Sequence, residues 1–436
     1  MLGRLAGGLR DAGAQAVKLL LRHLRWHSEG QDRQGDLRLA AGRVAEAGRG
    51  LAPRRGERVL DGAGLLALPG LINAHDHLGL DLLPRLGAGS YANAYEWARA
   101  IYRPDASPIR EVLRVGLRDR LWWGAYRNLI AGVTTVVHHD PYYWWVFGRQ
   151  WLGRRLVRRR LFGRRFPVRV LRRYAWCHSL GGPELGYGDD PVRAFRRAGA
   201  RPFILHAAEG TDARASAEVD RLHELGLLGP STALVHAVAV DARQRELLAA
   251  TGTGVVWCPA SSLGLYGATA PVAALHGKVW IALGTDSTVT GSPTLFDELR
   301  VAASTGLVEP AALLEMVTTQ AARIFTLDDG RGTLRIGAPA DVLLLPDDGR
   351  SAAELLLAAT AGDPELVLVG GRPRAASAAT AEALALGAPN ACVGGRPTWL
   401  YGDFARLRER IESVAGGDVL ELNPVWTILS PKGGSR

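Results

Sequence analysis

Cysteine, methionine and lysine are all scarce in this chain of 436 residues: three Cys, two Met, and only Lys18, Lys278 and Lys432. Cys177, Cys258 and Cys392 show no CxxC spacing. An odd, scattered set excludes a disulfide framework and suits a reducing cytoplasm. No run approaches the roughly 18 uninterrupted apolar residues that a membrane-spanning helix needs. The first 26 residues carry charges throughout, without an apolar stretch and cleavage site, so no secretory signal is read there. Hydrophobic residues make up 47% and charged residues 22%, which excludes wholesale disorder. The length suits one α/β barrel of about 250 residues with a smaller partner.

The formal charge of +10 is localised. Residues 149–173 hold eleven arginines and no acid, which leaves the rest of the chain near neutrality. Across residues 141–173 these arginines mix with Tyr142, Tyr143, Trp144, Trp145, Phe147, Trp151, Phe162 and Phe166. A solvated helix and loop is the plain reading. Basic residues beside Trp, Leu and Phe also fit an anionic membrane surface, or an acidic partner. Nucleic acid is the disfavoured partner, although arginines and aromatic rings suit phosphates and stacked bases. The localisation expected is cytoplasmic, with peripheral membrane attachment through this stretch. A homo-oligomer is compatible with the sequence.

Seven short apolar runs, each ending in a polar cluster, recur through the middle of the chain: GLINAHDH (70–77), VTTVVHHD (133–140), RYAWCHS (173–179), RPFILHAAE (201–209), TALVHAV (232–238), GVVWCPASS (254–262) and VWIALGTDS (279–287). Between them lie amphipathic stretches such as REVLRVGLRDRLWWGAYRNLIAG and DARQRELLAATG. Their apolar residues recur at three- and four-residue steps, and most close on glycine, as helix ends prefer. Strand then helix, repeated, predicts a parallel sheet covered by helices. An eighth strand, needed to close a barrel, is expected to hide in 141–173. Residues 17–68 and 332–390 read instead as short strands with turns, expected to meet in one small β-sandwich. The barrel would then span 69–331, and 393–436 is a tail with one helical piece, FARLRERIESV.

Polar residues mark the strand ends. His75 and His77 bracket Asp76, and with a period of two both imidazoles point to the same side. Two imidazoles on one side can bind one divalent metal. His206 ends a later strand with Glu209 three residues on, His236 ends the next, and Asp286 closes the last. A lone buried histidine is more often a core residue than a ligand. Five such residues at successive strand ends, where barrel enzymes gather their catalytic groups, predict a metal site.

The motifs LPGLINAHDHL, GVTTVV, HAAEG, LVHAV, WCPASSLGL and ALGTDS resemble the amidohydrolase superfamily. They are most similar to its branch of cytosine, guanine and S-adenosylhomocysteine deaminases and triazine chlorohydrolases. The resemblance covers about residues 20 to 390 and implies a (β/α)8 TIM-type barrel with a β-sandwich from both chain ends. It implies that His75, His77, His206 and Asp286 bind one metal, zinc or ferrous iron. It further implies that Glu209 shuttles protons, that Asp286 orients the attacking water, and that His236 polarises the group under attack. Two-metal members bridge their ions with a carboxylated lysine, and no lysine lies between His77 and His206. Glu184 and Cys177 are the substitute bridges nearest by position, in contexts that do not suit a bridge. One metal is therefore expected.

His138, His139, Asp140, His178 and Ser179 also end strands at the same mouth. Of these, His139 and His178 are candidate substrate contacts. Ser262 stands where this branch commonly reads P-x-S-N, which weakens any standard substrate set. The expected activity is hydrolytic deamination of an amino-substituted heterocycle by metal-activated hydroxide. Hydrolysis of another C–N or C–halide bond in a small molecule is the alternative, and a non-catalytic metal-binding barrel is the third.

Overall fold

The computed structural model describes residues 17–87, 89–147, 166–185 and 187–429. Most of the arginine-rich stretch, 148–165, lies outside them. The strands in chain order are β1 (Leu19–Ser28), β2 (Gln31–Ala40), β3 (Arg43–Gly48), β4 (Arg58–Asp61), β5 (Leu65–Pro69), β6 (Leu71–Asp76), β7 (Val133–His138), β8 (Arg169–Val170) and β9 (Ala175–Ser179). They continue with β10 (Phe203–Ala207), β11 (Thr232–His236), β12 (Gly254–Trp257), β13 (Ile281–Leu283), β14 (Val342–Pro346), β15 (Leu366–Val369), β16 (Arg372–Ser377), β17 (Ala391–Val393) and β18 (Arg396–Leu400).

All seven apolar runs contain a strand. The eighth is the two-residue β8, at the far end of the arginine-rich stretch and paired with β7. These eight strands form two parallel sheets, β6-β7-β8 and β13-β12-β11-β10-β9. At one join the Asp286 N–H donates to the His75 carbonyl oxygen (3.1 Å). Strands β6, β7 and β10 to β13 are buried along their whole length. Helices and neighbouring strands cover both faces, which is why these runs are continuously apolar and do not alternate. The arrangement is a TIM-barrel-type α/β fold. Among the described residues, no helix is long and apolar enough to cross a membrane.

The two chain ends share one sheet of ten strands, ordered β17-β18-β16-β15-β14-β5-β1-β2-β3, with β4 beside β1. Strand β5 is the seam: it runs parallel to β1 and antiparallel to β14, with Leu66 opposite Leu345. Leu19, Leu21, Leu37, Leu39, Leu344, Leu366 and Leu368 form the core under it.

The amphipathic stretch at 110–132 folds as two helices, Ile109–Arg114 and Leu117–Leu129, where one was expected. Val115 leaves the helical conformation and Gly116 begins the next helix. Glycine disfavours a helix interior by about 1 kcal/mol relative to alanine, and the break lets Val112 and Val115 both reach the core. The tail packs on the second of these helices: Trp426 lies 5.2 Å from Trp123, and Phe404 lies 5.1 Å from Tyr126. Asn423 Nδ2 donates to the carbonyls of Asp81 and Leu83 at 3.1 and 2.8 Å. The tail thereby braces the loop that follows β6.

Candidate metal centre

His75 at the end of β6, His77 just beyond it, and His206 on β10 converge. His75 Nε2 and His206 Nε2 are 3.3 Å apart. Asp286, just past β13, places Oδ1 3.8 Å from His75 Nε2 and 3.9 Å from His77 Nε2. All four side chains are almost wholly buried. Three imidazole nitrogens and one carboxylate oxygen around a common point make a donor set suited to a first-row divalent ion.

The outer atoms of these ligands decide which nitrogen faces inward. His77 Nδ1 bonds Asp140 Oδ2 (3.2 Å), and His206 Nδ1 donates to the His178 carbonyl oxygen (2.8 Å). Each of these contacts holds Nδ1 outside and turns Nε2 inward, and an outer carboxylate or carbonyl also fixes the ring's orientation. Asp140 in turn accepts from the Tyr187 hydroxyl. Asp286 Oδ2 accepts from Ser261 Oγ (2.9 Å) and Thr290 Oγ1 (2.8 Å), and Oδ1 from the Ser287 N–H (2.7 Å).

Burial, together with the charge of neighbouring histidines, holds His75 and His206 well below the usual imidazole range. Neutral imidazoles are the form that binds metal. Burial works the same way on His77, but Asp140 and Asp286 outweigh it and raise this ring to about 9. Burial would raise Asp286, yet the charges of His77 and His236 hold it below the ordinary carboxylate value.

Beside this set, Glu209 Oε1 lies 3.5 Å from His236 Nε2 and accepts from the Tyr266 hydroxyl (2.8 Å). Burial, helped by the Asp286 charge, raises the Glu209 carboxyl above its ordinary value, which suits a group that takes and returns protons near neutrality. The backbone here is strained. Ala208, His236, Ala237 and Asp286 are non-glycine residues with φ between 52 and 74°, each conformation costing about 1–3 kcal/mol. Ala208 is held by its N–H donating to Glu218 Oε2 (2.8 Å).

The second-tier residues divide. Adjacent positions on an extended chain point to opposite sides. His138 turns away, its Nδ1 accepting from the Leu78 N–H (3.2 Å) under the rings of Tyr143 and Phe147. His139 turns inward: a ring nitrogen of each of His75, His77, His139 and His206 lies within 4.8 Å of the others. His178 is half-buried and bonds Ser179 Oγ through Nδ1 (3.1 Å). The Ser262 hydroxyl is buried without a partner among the described residues. Neither substitute bridge reaches the cluster. Glu184 is exposed and pairs with Arg214 (2.8 Å), and Cys177 Sγ faces the carbonyls of Ser179 and Asp189.

Sequence reasoning missed the supports. Arg127, on the helix Leu117–Leu129, donates to Asp76 Oδ1 (3.1 Å), Asp81 Oδ1 (2.7 Å) and the Asp286 carbonyl (3.0 Å). Its other nitrogens reach the carbonyls of Ser292 (2.6 Å) and Pro293 (2.8 Å). Tyr266 and Glu218 were missed as well. None sits in a motif; each joins elements far apart in the chain, so no local signal marks it.

The amidohydrolase family model matches residues 201–374. A 5-methylthioadenosine/S-adenosylhomocysteine deaminase of Halobacterium salinarum is 30% identical over 339 residues, covering 67% of this chain and 76% of its own length. The protein of the same name from Haloarcula marismortui is 37% identical over 341 residues, with the same two coverages. An adenosine deaminase of Xanthomonas campestris, solved with bound zinc, superposes with TM-score 0.66 at 19% identity, covering 93% of this chain and 99% of that one. An atrazine chlorohydrolase variant of Arthrobacter aurescens, complexed with zinc and atraton, gives 0.67 at 19% identity, covering 91% and 100%. The class is that of metal-dependent hydrolases acting on carbon–nitrogen bonds other than peptide bonds. Within it, the chain belongs to the amidohydrolase family.

Proposed function

We propose that this chain is a hydrolytic deaminase holding one divalent ion, zinc or ferrous iron, on His75, His77, His206 and Asp286. The observation that carries the reading is a buried Glu209, its carboxyl raised above the ordinary value, set beside His236 and close to the convergence of His75, His77, His206 and Asp286. A bound ion lowers the pKa of a coordinated water from 15.7 to about 7 and so supplies hydroxide at neutral pH. Asp286 is anchored on Oδ2 by two hydroxyls and would use Oδ1 to help hold the ion and to orient the attacking water. Glu209 uses Oε1 to hold Tyr266 and His236, leaving Oε2 to pass a proton from the attacking water to a ring nitrogen of the substrate, then to carry the proton of the newly added hydroxyl to the departing amine. Such a placed acid/base contributes about 10²–10⁴-fold. His236 Nε2 stabilises the oxygen that develops at the attacked carbon.

The relatives' names make adenine nucleosides carrying a 5′ substituent the substrate class to test first. Ammonia release with 5′-methylthioadenosine, S-adenosylhomocysteine and adenosine checks this against free bases and chlorinated triazines. Release of chloride or alkylamine with no ammonia would move the chain to the alternative chemistry. No product with any of them, in protein carrying a full equivalent of metal, would leave a binding barrel.

A second reading concerns attachment. Trp144 and Trp145, 73% and 52% exposed beside the arginine-rich stretch, suit an anionic membrane surface. Replacing both by serine should weaken pelleting with phosphatidylserine vesicles, and unchanged pelleting removes the idea. The division into a 69–331 barrel and a sandwich of 17–68 with 332–390 belongs to the same proposal. Separate expression of 69–331 as a folded, metal-binding unit tests it.

A further inference from the structure

His139 follows β7 directly and is fully buried. Its Nε2 lies 3.0 Å from the Cys177 carbonyl oxygen. A carbonyl only accepts, so the proton sits on Nε2 and Nδ1 carries a bare lone pair. Nδ1 has no partner among the described residues. Buried polar atoms are rarely left so without a ligand to meet.

His77 and His206 are oriented in the same way: Nδ1 is tied outside to oxygen and Nε2 faces the cluster. The His139 ring stacks on that of His206, with centroids 4.4 Å apart and planes at 27°. It meets His75 edge-on at 5.0 Å. A ring nitrogen of His139 falls in the same 4.8 Å group as those of His75, His77 and His206. Two nitrogens on one zinc stand at most about 4.2 Å apart, so a small rotation brings all four into range. Substrate reaches the site from the mouth, where Glu209 and His77 keep a little exposure, whereas His139 keeps none.

We infer that His139 Nδ1 is a fifth donor to the ion held by His75, His77, His206 and Asp286. The resulting set of four imidazoles and one carboxylate, with a water, gives a first-row divalent ion six-fold coordination. Such a set is open to ferrous iron and cobalt as well as zinc. The inference rests on the metal reading above, and its test separates the two.

The full chain reconstituted with cobalt(II) should show the very weak visible bands of six-coordinate cobalt, with five protein donors and one water. His139→Ala should convert them to the stronger bands of five-coordinate cobalt, and should raise the cobalt dissociation constant by at least roughly 10–100-fold, the scale seen when even an outer-shell partner is lost. Five-coordinate bands in the unaltered chain, identical to those of His139→Ala, would overturn the inference. So would a His139→Ala protein with unchanged spectrum and affinity but raised KM, which would make His139 a substrate contact. If His139→Ala does not fold, the unaltered spectrum and the isosteric His139→Gln variant decide. A chain that takes up no cobalt at all sinks the metal reading itself.

Discussion

Two buried polar clusters share strand β6, one on each side of Asp76. On one side His75, His77, His139 and His206 gather, each with a ring nitrogen within 4.8 Å of the others, and His139 Nδ1 has no partner among the described residues. On the other side Arg127 spends its donors on Asp76, Asp81 and three carbonyl oxygens. Asn128 Nδ2 closes on Asp76 Oδ2 (2.6 Å), and Asn73 joins Asn128 to Thr285. Burial and the Asp81 charge push Asp76 up while Arg127 opposes them. The contrast shows how to tell a foundation from a site. A cluster whose donors are occupied holds backbone in place, here the strained Asp286. A cluster with inward lone pairs is built to meet something else.

Breaking only the site gives the largest effect. Glu209→Gln should lower kcat by about 10²–10⁴-fold with metal content and thermal midpoint unchanged, measured by steady-state kinetics and metal analysis. A fall in midpoint of several degrees would show that Glu209 belongs to the foundation instead. Breaking the foundation should do the reverse. Arg127→Met strands two buried carboxylates and should cost about 3–5 kcal/mol of stability in urea unfolding, with metal lost as Asp286 shifts. Retained stability would mean that Asp76 and Asp81 simply take up protons.

Gly284→Ala tests the contact between strands. An added Cβ would come 2.6 Å from His75 Cβ. Overpacking of this kind costs about 1–3 kcal/mol, and metal affinity should fall with it. The last comparison is of pH dependence in metal-free protein. Burial lowers His138 and His178 to about 4, below the unfolded value of about 6.5. Between those pH values the unfolded chain binds the extra protons, so stability falls on acidification, by up to about 1.4 kcal/mol per pH unit for each group. His77, raised to about 9, has the opposite sign. Its contribution is present below about 6.5 and fades as pH rises through 9. Urea midpoints from pH 4 to 9.5 should therefore pass through a maximum, and a flat profile would contradict both assignments.

The site was legible wherever a motif coincides with a strand end. In GLINAHDH the alternation put His75 and His77 on one side, and in FILHAAE and ALVHAV the apolar run stops at His206 and His236. His139 was legible as facing the mouth, but its depth among the imidazoles was not, because HHD does not say which neighbour turns inward. Strand β8 was placed only by region: two residues carry no periodicity. The ten-stranded sheet was expected as a sandwich of the two ends. Its actual path, with β5 between β1 and β14, depends on pairing across the whole chain.

The sequence alone determined the kinds of side chain and their order: runs that must be buried on both faces, and histidines and carboxylates at their ends. That follows because strand period and apolar burial act over a few residues and are written locally. Only the tertiary structure decided which lone pairs are free and which are tied, since the partners of His77, His139, His206 and Arg127 arrive from strands and helices tens to hundreds of residues away. A hydrogen bond depends on distance in space, and the chain sets that distance only when every layer has packed.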